Sequence, residues 1–319
     1  MLYRRHLRIK VLQSLYAWYT TGASDLVKGE KQLLLSINKL YELYIWQLSF
    51  IVELRRFAEK RSEERKEKFY PTEEDLNPNL KFIENNVGLV LENNKDFRHK
   101  EELYKVNWAE QQELVRKCYD KLVNSSFYKE YMSLPAGNPD GDRIFYIKIV
   151  DQLLAPEDLL RDFYEEKSVF FVDGYDIVLL LLIKFFETFD SKFTPDTKMK
   201  GLFKGKDQTK NEDLDFVNTL FKKVILRDVE NEEILKAKTS SWDFERIPLM
   251  DIILLKMAIV ELQEMKTVPV KVTLNEYIEL ARYFSTGKSR TFVNGVLDRL
   301  IREFREEGKI VKVGRGLIE

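Results

Sequence analysis

Apolar residues recur at helical spacing along nearly the whole of this 319-residue chain. Leu7, Val11, Leu12, Leu15 and Trp18 fall at i, i+4, i+5, i+8 and i+11, which predicts an amphipathic helix over residues 2–20. The stretch "TTGASD" breaks it and offers Ser24 and Asp25 as N-caps for a long helix over about 26–62. In that helix Leu33, Leu34, Ile37, Leu40, Tyr41, Tyr44, Leu48 and Ile51 make a stripe wider than a coiled-coil seam. The charge run "EKRSEERKEK" reads as its solvated end. Pro71, Pro78 and the nearby asparagines predict an irregular crossing through about 70–95. A helical region follows over about 97–133, and "LPAGNPDGD" (134–142) is a turn. Helices are then expected at about 143–154, 156–167 with Pro156 at the first position, and 169–190. The Gly- and Lys-rich stretch 194–213 reads as a mobile surface loop. Further helices are expected at about 213–227, 230–238, 249–265, 273–284 and 289–307, with "KIVKVGRGLIE" as a short strand or extended arm. No segment alternates with period two over several strands, so the fold class is all-α.

Composition agrees. Hydrophobic residues make up 44% and charged residues 33%, while Gly (13) and Pro (8) are too scarce for the many turns of an all-β chain. The formal net charge of −1 supplies no global field for nucleic acid, so any such function needs a local patch. Cys118 alone excludes a disulfide framework or a cysteine zinc site and is expected to pack as a small apolar residue. His6 and His99 are too few for a zinc centre, and no cofactor is implied. No secretory signal is expected, because the cationic start lacks an apolar h-region. The greasiest run, "IVLLLLIKFF" (177–186), is half the length of a membrane span and reads as a buried helix, so a cytoplasmic protein is expected.

The stretch "GKSRTFVNGVLDRL" (287–300) admits three readings. A phosphate-binding P-loop needs Gly five residues before Gly287, after a strand; Arg282 stands there, at the end of a helical segment in which Thr273 and Glu276 are placed for a capping box. A hairpin at Asn294-Gly295 needs alternating flanks, but Phe292, Val296, Ile301 and Phe304 continue one helical stripe. The helical reading survives, with its start near Thr286 or Ser289. It puts Gly295 mid-helix, at a cost of about 1 kcal/mol relative to Ala. That cost is explained if a neighbouring backbone comes close there, with a buried Asn294 hydrogen-bonding into the adjacent connection.

These residues carry a resemblance. "TLNEYIELARYFSTGKSRTFVNGVLDRL" resembles the C-terminal signature of the NusB family of transcription antitermination factors. "WDFERIPLMDIILLKMAIVELQEMKTVPVKV" (242–272) resembles the family's preceding helix and Pro-containing connection, and "RRHLRIKVLQSLYAWYTTG" (4–22) its Arg-rich first helix. The likeness covers roughly 1–22 and 213–305, about a third of the chain. It implies a NusB-like helical bundle enlarged by a helical insertion: 1–24 the Arg-rich helix, 25–210 the insertion, 211–308 the C-terminal helical subdomain and 309–319 a tail.

The candidate chemistry lies in two places. Arg4, Arg5, Arg8 and Lys10 put four cations and no acid in the first ten residues, and Arg4 and Arg8 share a helix face. Such a cluster fits phosphate contacts with counterion release, His6 and Tyr16 adding rings or hydrogen bonds; it fits a solvated cationic end equally. The resemblance implies the former, although His6 stands where the family often has a third basic residue. Lys288, Arg290 and Phe292 lie where the family's RNA path runs; Lys288 replaces an often acidic residue, and Phe292 is either core or a stacking platform. No grouping of Ser, His and Asp suggests catalysis. The resemblance implies a non-enzymatic factor that binds boxA-like single-stranded RNA with ribosomal protein NusE, within the RNA polymerase antitermination complex on ribosomal RNA operons. The alternative is a protein-interaction scaffold or ribosome-biogenesis factor on the same core.

Overall fold

The computed structural model describes residues 3–203, 211–238 and 244–317. In chain order the α-helices are α1 (Arg4–Thr21), α2 (Leu26–Lys66), α3 (Glu73–Leu76), α4 (Asn86–Glu92), α5 (Lys95–Leu103), α6 (Gln112–Asn124), α7 (Ser126–Ser133), α8 (Pro139–Lys148), α9 (Asp158–Lys167), α10 (Tyr175–Glu187), α11 (Glu212–Leu226), α12 (Asp228–Lys238), α13 (Leu249–Glu264), α14 (Val270–Phe284) and α15 (Ser289–Glu306). Among the described residues there is no strand, and the fold is all-α. No helix there is long and apolar enough to cross a membrane. The chain divides into two compact units, Asn38–Leu202 and Leu2–Ile37 with Phe203–Glu319.

In the first unit the apolar run around 177–186 becomes α10, which buries Val178, Leu179, Leu181, Leu182 and Phe186. The Phe186 ring stacks on Tyr146 of α8 at 5.2 Å, and Trp46 meets Trp108 edge-on at 5.1 Å. Cys118 is buried as expected, and burial pushes its thiol pKa up to about 12. Asparagines organise the irregular crossing. Asn85 caps α4 through Val87 N–H and donates to the Tyr131 hydroxyl at 2.8 Å, and that hydroxyl donates to Asp142. Asn94, fully buried, caps α5 and donates to the carbonyls of Thr194 and Thr197 at 3.0 and 2.7 Å.

In the second unit α13 is mostly apolar, is buried around nearly its whole circumference and packs against α1, α11, α12, α14 and α15. A helix of that composition is stable only when surrounded, and its neighbours supply the surround.

Several expectations are corrected. The helical region 97–133 is made of α5, a 3-10 turn at Ala109–Gln111, α6 and α7. The stretch 134–142 is only half a turn, because Asn138 caps α8 and Pro139 starts it. Pro156 precedes its helix, which starts at Asp158 after Glu157. Residues 194–199 are not a free loop: Asn94 holds them, and Met199 N–H donates to Asp96 at 2.7 Å. Residues 204–210 of that stretch lie outside the described residues. The tail makes no strand; Val313 N–H donates to the Lys266 carbonyl and a 3-10 turn follows at Gly314–Leu317.

Gly295 does sit within α15, but the close-approach explanation fails. It is exposed, Asn294 is only half-buried, and a Cβ on Gly295 would meet nothing within 4 Å. The crowded glycine is Gly88, where a Cβ would lie 2.1 Å from the Tyr146 hydroxyl and 2.9 Å from Arg55 Cδ. Gly295→Ala should therefore stabilise the protein by about 0.5–1 kcal/mol in thermal or urea unfolding. Gly88→Ala should destabilise it by about 1–3 kcal/mol, with part of the loss restored in a Tyr146→Phe background.

Candidate nucleic-acid interface

α1 begins with an electrostatic problem. Its first turn carries Arg4 and Arg5 and no acid, and Tyr3 provides no side-chain cap. Cations at this end add to the positive pole of the helix dipole. The fold answers with carboxylates from three other helices. Arg4 reaches Asp213 and Glu212 of α11, each at 3.5 Å, and lies over the Phe216 ring at 5.2 Å. Arg5 grips Glu276 of α14 with two hydrogen bonds of 2.9 and 2.8 Å.

Arg8 points inward. Its side chain is 2% exposed, and it donates to both oxygens of the fully buried Glu261 of α13 at 2.8 and 2.7 Å. Burial by itself would lower the Arg8 pKa; the Glu261 carboxylate outweighs it, and the pKa is raised. The remaining lone pairs of Glu261 accept from Thr273 Oγ1 at 2.9 Å and the Tyr277 hydroxyl at 3.0 Å. The capping box expected of Thr273 and Glu276 does not form. α14 starts three residues earlier, after Pro269, which leaves Thr273 free to serve Glu261 and Glu276 to serve the arginines.

The other expected contacts fall at different depths. Lys10 is buried at 3% exposure, so neither it nor Arg8 offers its head group to solvent. His6 is half-buried, edge-on to Tyr3 at 5.7 Å, with Nδ1 unpartnered. Its pKa is lowered, first by burial and then by Arg5. Tyr16 is exposed, but eleven residues past Arg5 it stands about 16 Å along the helix.

Lys288 and Arg290 are both exposed, and neither forms an ion pair among the described residues. Phe292 is half-buried one turn inside α15. Ser289, between the two cations, is buried and fixes the connection: its Oγ donates to Asp251 of α13 at 2.6 Å and accepts from Thr286 N–H at 3.2 Å. Arg5 and this connection are joined along α14, since Glu276 holds Arg5, Glu279 and Tyr283 act on it electrostatically, and the helix ends at Phe284. Arg5 and exposed Tyr283 thus lie along α14, whose end leads into the connection that bears Lys288 and Arg290.

The connection, α14 and most of α15 lie inside a segment that matches a known family. Residues 185–302 match the model of the NusB family. The Arg-rich first helix lies outside the matched residues. Proteins named transcription antitermination protein NusB are similar: 40% identical over 104 residues in Salinibacter ruber, 35% over 105 in Chloroherpeton thalassium and 36% over 92 in Clostridium botulinum. Each match takes in about a third of this chain, 33%, 33% and 29%, and the chain spans 65%, 50% and 64% of those NusB proteins' lengths. No solved structure matches the chain.

Asp251, which holds the connection before α15, and Glu261, which holds α1, were missed in the sequence. The signal was present: Asp251, Lys256 and Glu261 stand five apart in a helix whose other residues from Leu249 to Leu262 are apolar, and buried charges need partners. Lys256 has them in Asp228 and Glu232 of α12.

Glu261→Ala leaves the buried Arg8 guanidinium with only the 3.7 Å contact to Glu276 and should destabilise the protein by about 3–5 kcal/mol in chemical denaturation. His6 generates a pH dependence. Its folded pKa lies below the unfolded 6.5, so the unfolded chain binds more protons there and stability falls as pH drops through 6.5 towards the folded value. Unfolding midpoints measured between about pH 7.5 and 5 should show this loss, and His6→Gln should remove that component.

Proposed function

We propose that this protein is a non-catalytic, RNA-binding transcription antitermination factor. It binds a boxA-like single-stranded RNA element jointly with ribosomal protein NusE, in the RNA polymerase antitermination complex on ribosomal RNA operons. The observation that carries this reading is the pinned connection before α15. Lys288 and Arg290 face solvent without an ion-pair partner among the described residues, on a backbone held by Ser289 and Asp251, inside the NusB-matched residues.

RNA recognition of this kind uses phosphate contacts for position and splayed bases for sequence. Arg290 and Lys288 serve the phosphates. Arg5 is half-exposed and keeps an outward edge beyond its pair with Glu276, and exposed Tyr283 offers a ring for stacking. Arg8 acts indirectly, by fixing α1 on α13. A patch this small on a protein of net charge −1 binds RNA weakly alone, so sharing the RNA with a second protein raises the effective affinity.

One observation favours the scaffold reading. Arg4, Arg5 and Arg8 are all met by carboxylates of this chain, as structural arginines would be. A salt titration of boxA-like RNA binding, with NusE present, separates the two. The Arg5→Ala, Lys288→Ala, Arg290→Ala triple variant should bind on the order of tenfold or more weakly, with the slope of log K against log salt reduced by about 2. Ser289→Ala, which strips buried Asp251 of its donor, should cost about 1–3 kcal/mol of stability and weaken RNA binding in the same direction. Equal binding by wild type and triple variant would leave the scaffold or ribosome-biogenesis reading in its place.

A further inference from the structure

The connection after α10 turns its lysines outward on a fixed backbone. Its backbone is tied to the start of α5 by Asn94, by Met199 N–H donating to Asp96, and by Lys95 N–H donating to the Pro195 carbonyl at 2.9 Å. Lys192, Lys198 and Lys200 are exposed and form no ion pair among the described residues. α5 adds exposed Lys95, Arg98 and His99 to the same surface. Across residues 95–100 and 190–200, six cations stand against three carboxylates, Asp96, Asp190 and Asp196, in a chain whose formal net charge is −1. Two of those carboxylates are already engaged, Asp96 by Lys100 at 2.8 Å and Asp196 by Lys95 at 2.7 Å.

The surface has no exposed large apolar side chain, and Phe193 is turned in against Phe185 and Phe189 at 5.4 and 4.9 Å. It therefore lacks the apolar anchors on which protein partners dock. Flexible ammonium groups suit phosphodiesters as point charges and read no bases. The pinned backbone lowers the ordering cost that a free loop would incur on binding.

We propose that the α5 start and residues 190–200 form a second RNA surface, which binds the phosphate backbone of single-stranded RNA without sequence preference. This rests on the RNA-binding reading above and extends it to the unit Asn38–Leu202.

The test uses the full chain and oligouridine of about 30 nucleotides, long enough to supply many phosphates and lacking a boxA-like element. The Lys192→Ala, Lys198→Ala, Lys200→Ala variant should bind oligouridine on the order of tenfold more weakly at low salt, with the log K against log salt slope reduced by about 2, and with an unchanged melting temperature. The Arg5, Lys288 and Arg290 variant serves as the comparison and should keep most of its oligouridine affinity. Unchanged affinity and slope in the lysine variant overturn this surface while leaving the other site standing. Loss confined to the Arg5, Lys288 and Arg290 variant does the same. If polyglutamate of matched charge displaces the RNA as effectively as oligouridine itself, the surface is an acidic-protein site and the RNA assignment falls. A wild-type chain that binds boxA-like RNA but no oligouridine also overturns it.

Discussion

The unit formed by Leu2–Ile37 and Phe203–Glu319 depends on one buried ion pair, Arg8 with Glu261. Taking either charge out of water alone costs several kcal/mol, so neither is tolerable without the other. The pair therefore dictates where α1 lies on α13, and Thr273 and Tyr277 complete the carboxylate's hydrogen bonds and bring α14 to the same point. With α1 held there, Arg4 and Arg5 fall at the rim within reach of Glu212, Asp213 and Glu276. The cationic first turn, unfavourable beside the helix dipole, becomes compatible with the fold through these carboxylates.

α13 repeats the device along its length. Asp251 receives Ser289 and fixes the connection before α15; Lys256 pairs with Asp228 and Glu232 on α12; Glu261 receives Arg8. Apolar contact drives the neighbours together without direction, whereas each buried charge requires its partners at defined positions. The three charges thus give register to a helix whose apolar surface would pack in many ways. The unit Asn38–Leu202 adds neutral groups to buried charges such as Arg55 with Glu92: Asn85 and Asn94 cap helices while binding distant carbonyls and hydroxyls.

Function follows from what this bracing leaves outside. Of the cations in the first ten residues, Arg8 and Lys10 are buried and Arg4 and Arg5 are partly engaged, so the freest charge in this unit's candidate site is the Lys288–Arg290 connection. The NusB match covers that connection and about a third of the chain, and it begins at residue 185, inside the unit Asn38–Leu202, which has its own core.

The sequence by itself determined the all-α class, the existence of nearly every long helix, the burial of Cys118 and of α10, and the rejection of a P-loop at Gly287-Lys288-Ser289. Those properties depend on periodicity and on residue types within one segment, which a linear reading contains. It did not disclose that Arg8 and Lys10 face inward, that Thr273 serves Glu261 rather than a cap, that Gly295 faces open space while Gly88 is crowded, or that Asn94 holds residues 194–197. Such features are decided by groups far along the chain, 253 residues away for Arg8 and 100 for Asn94 with Thr194. Helical spacing says which side chains share a face, but only packing brings the opposite charge or carbonyl to that face and makes one orientation favourable.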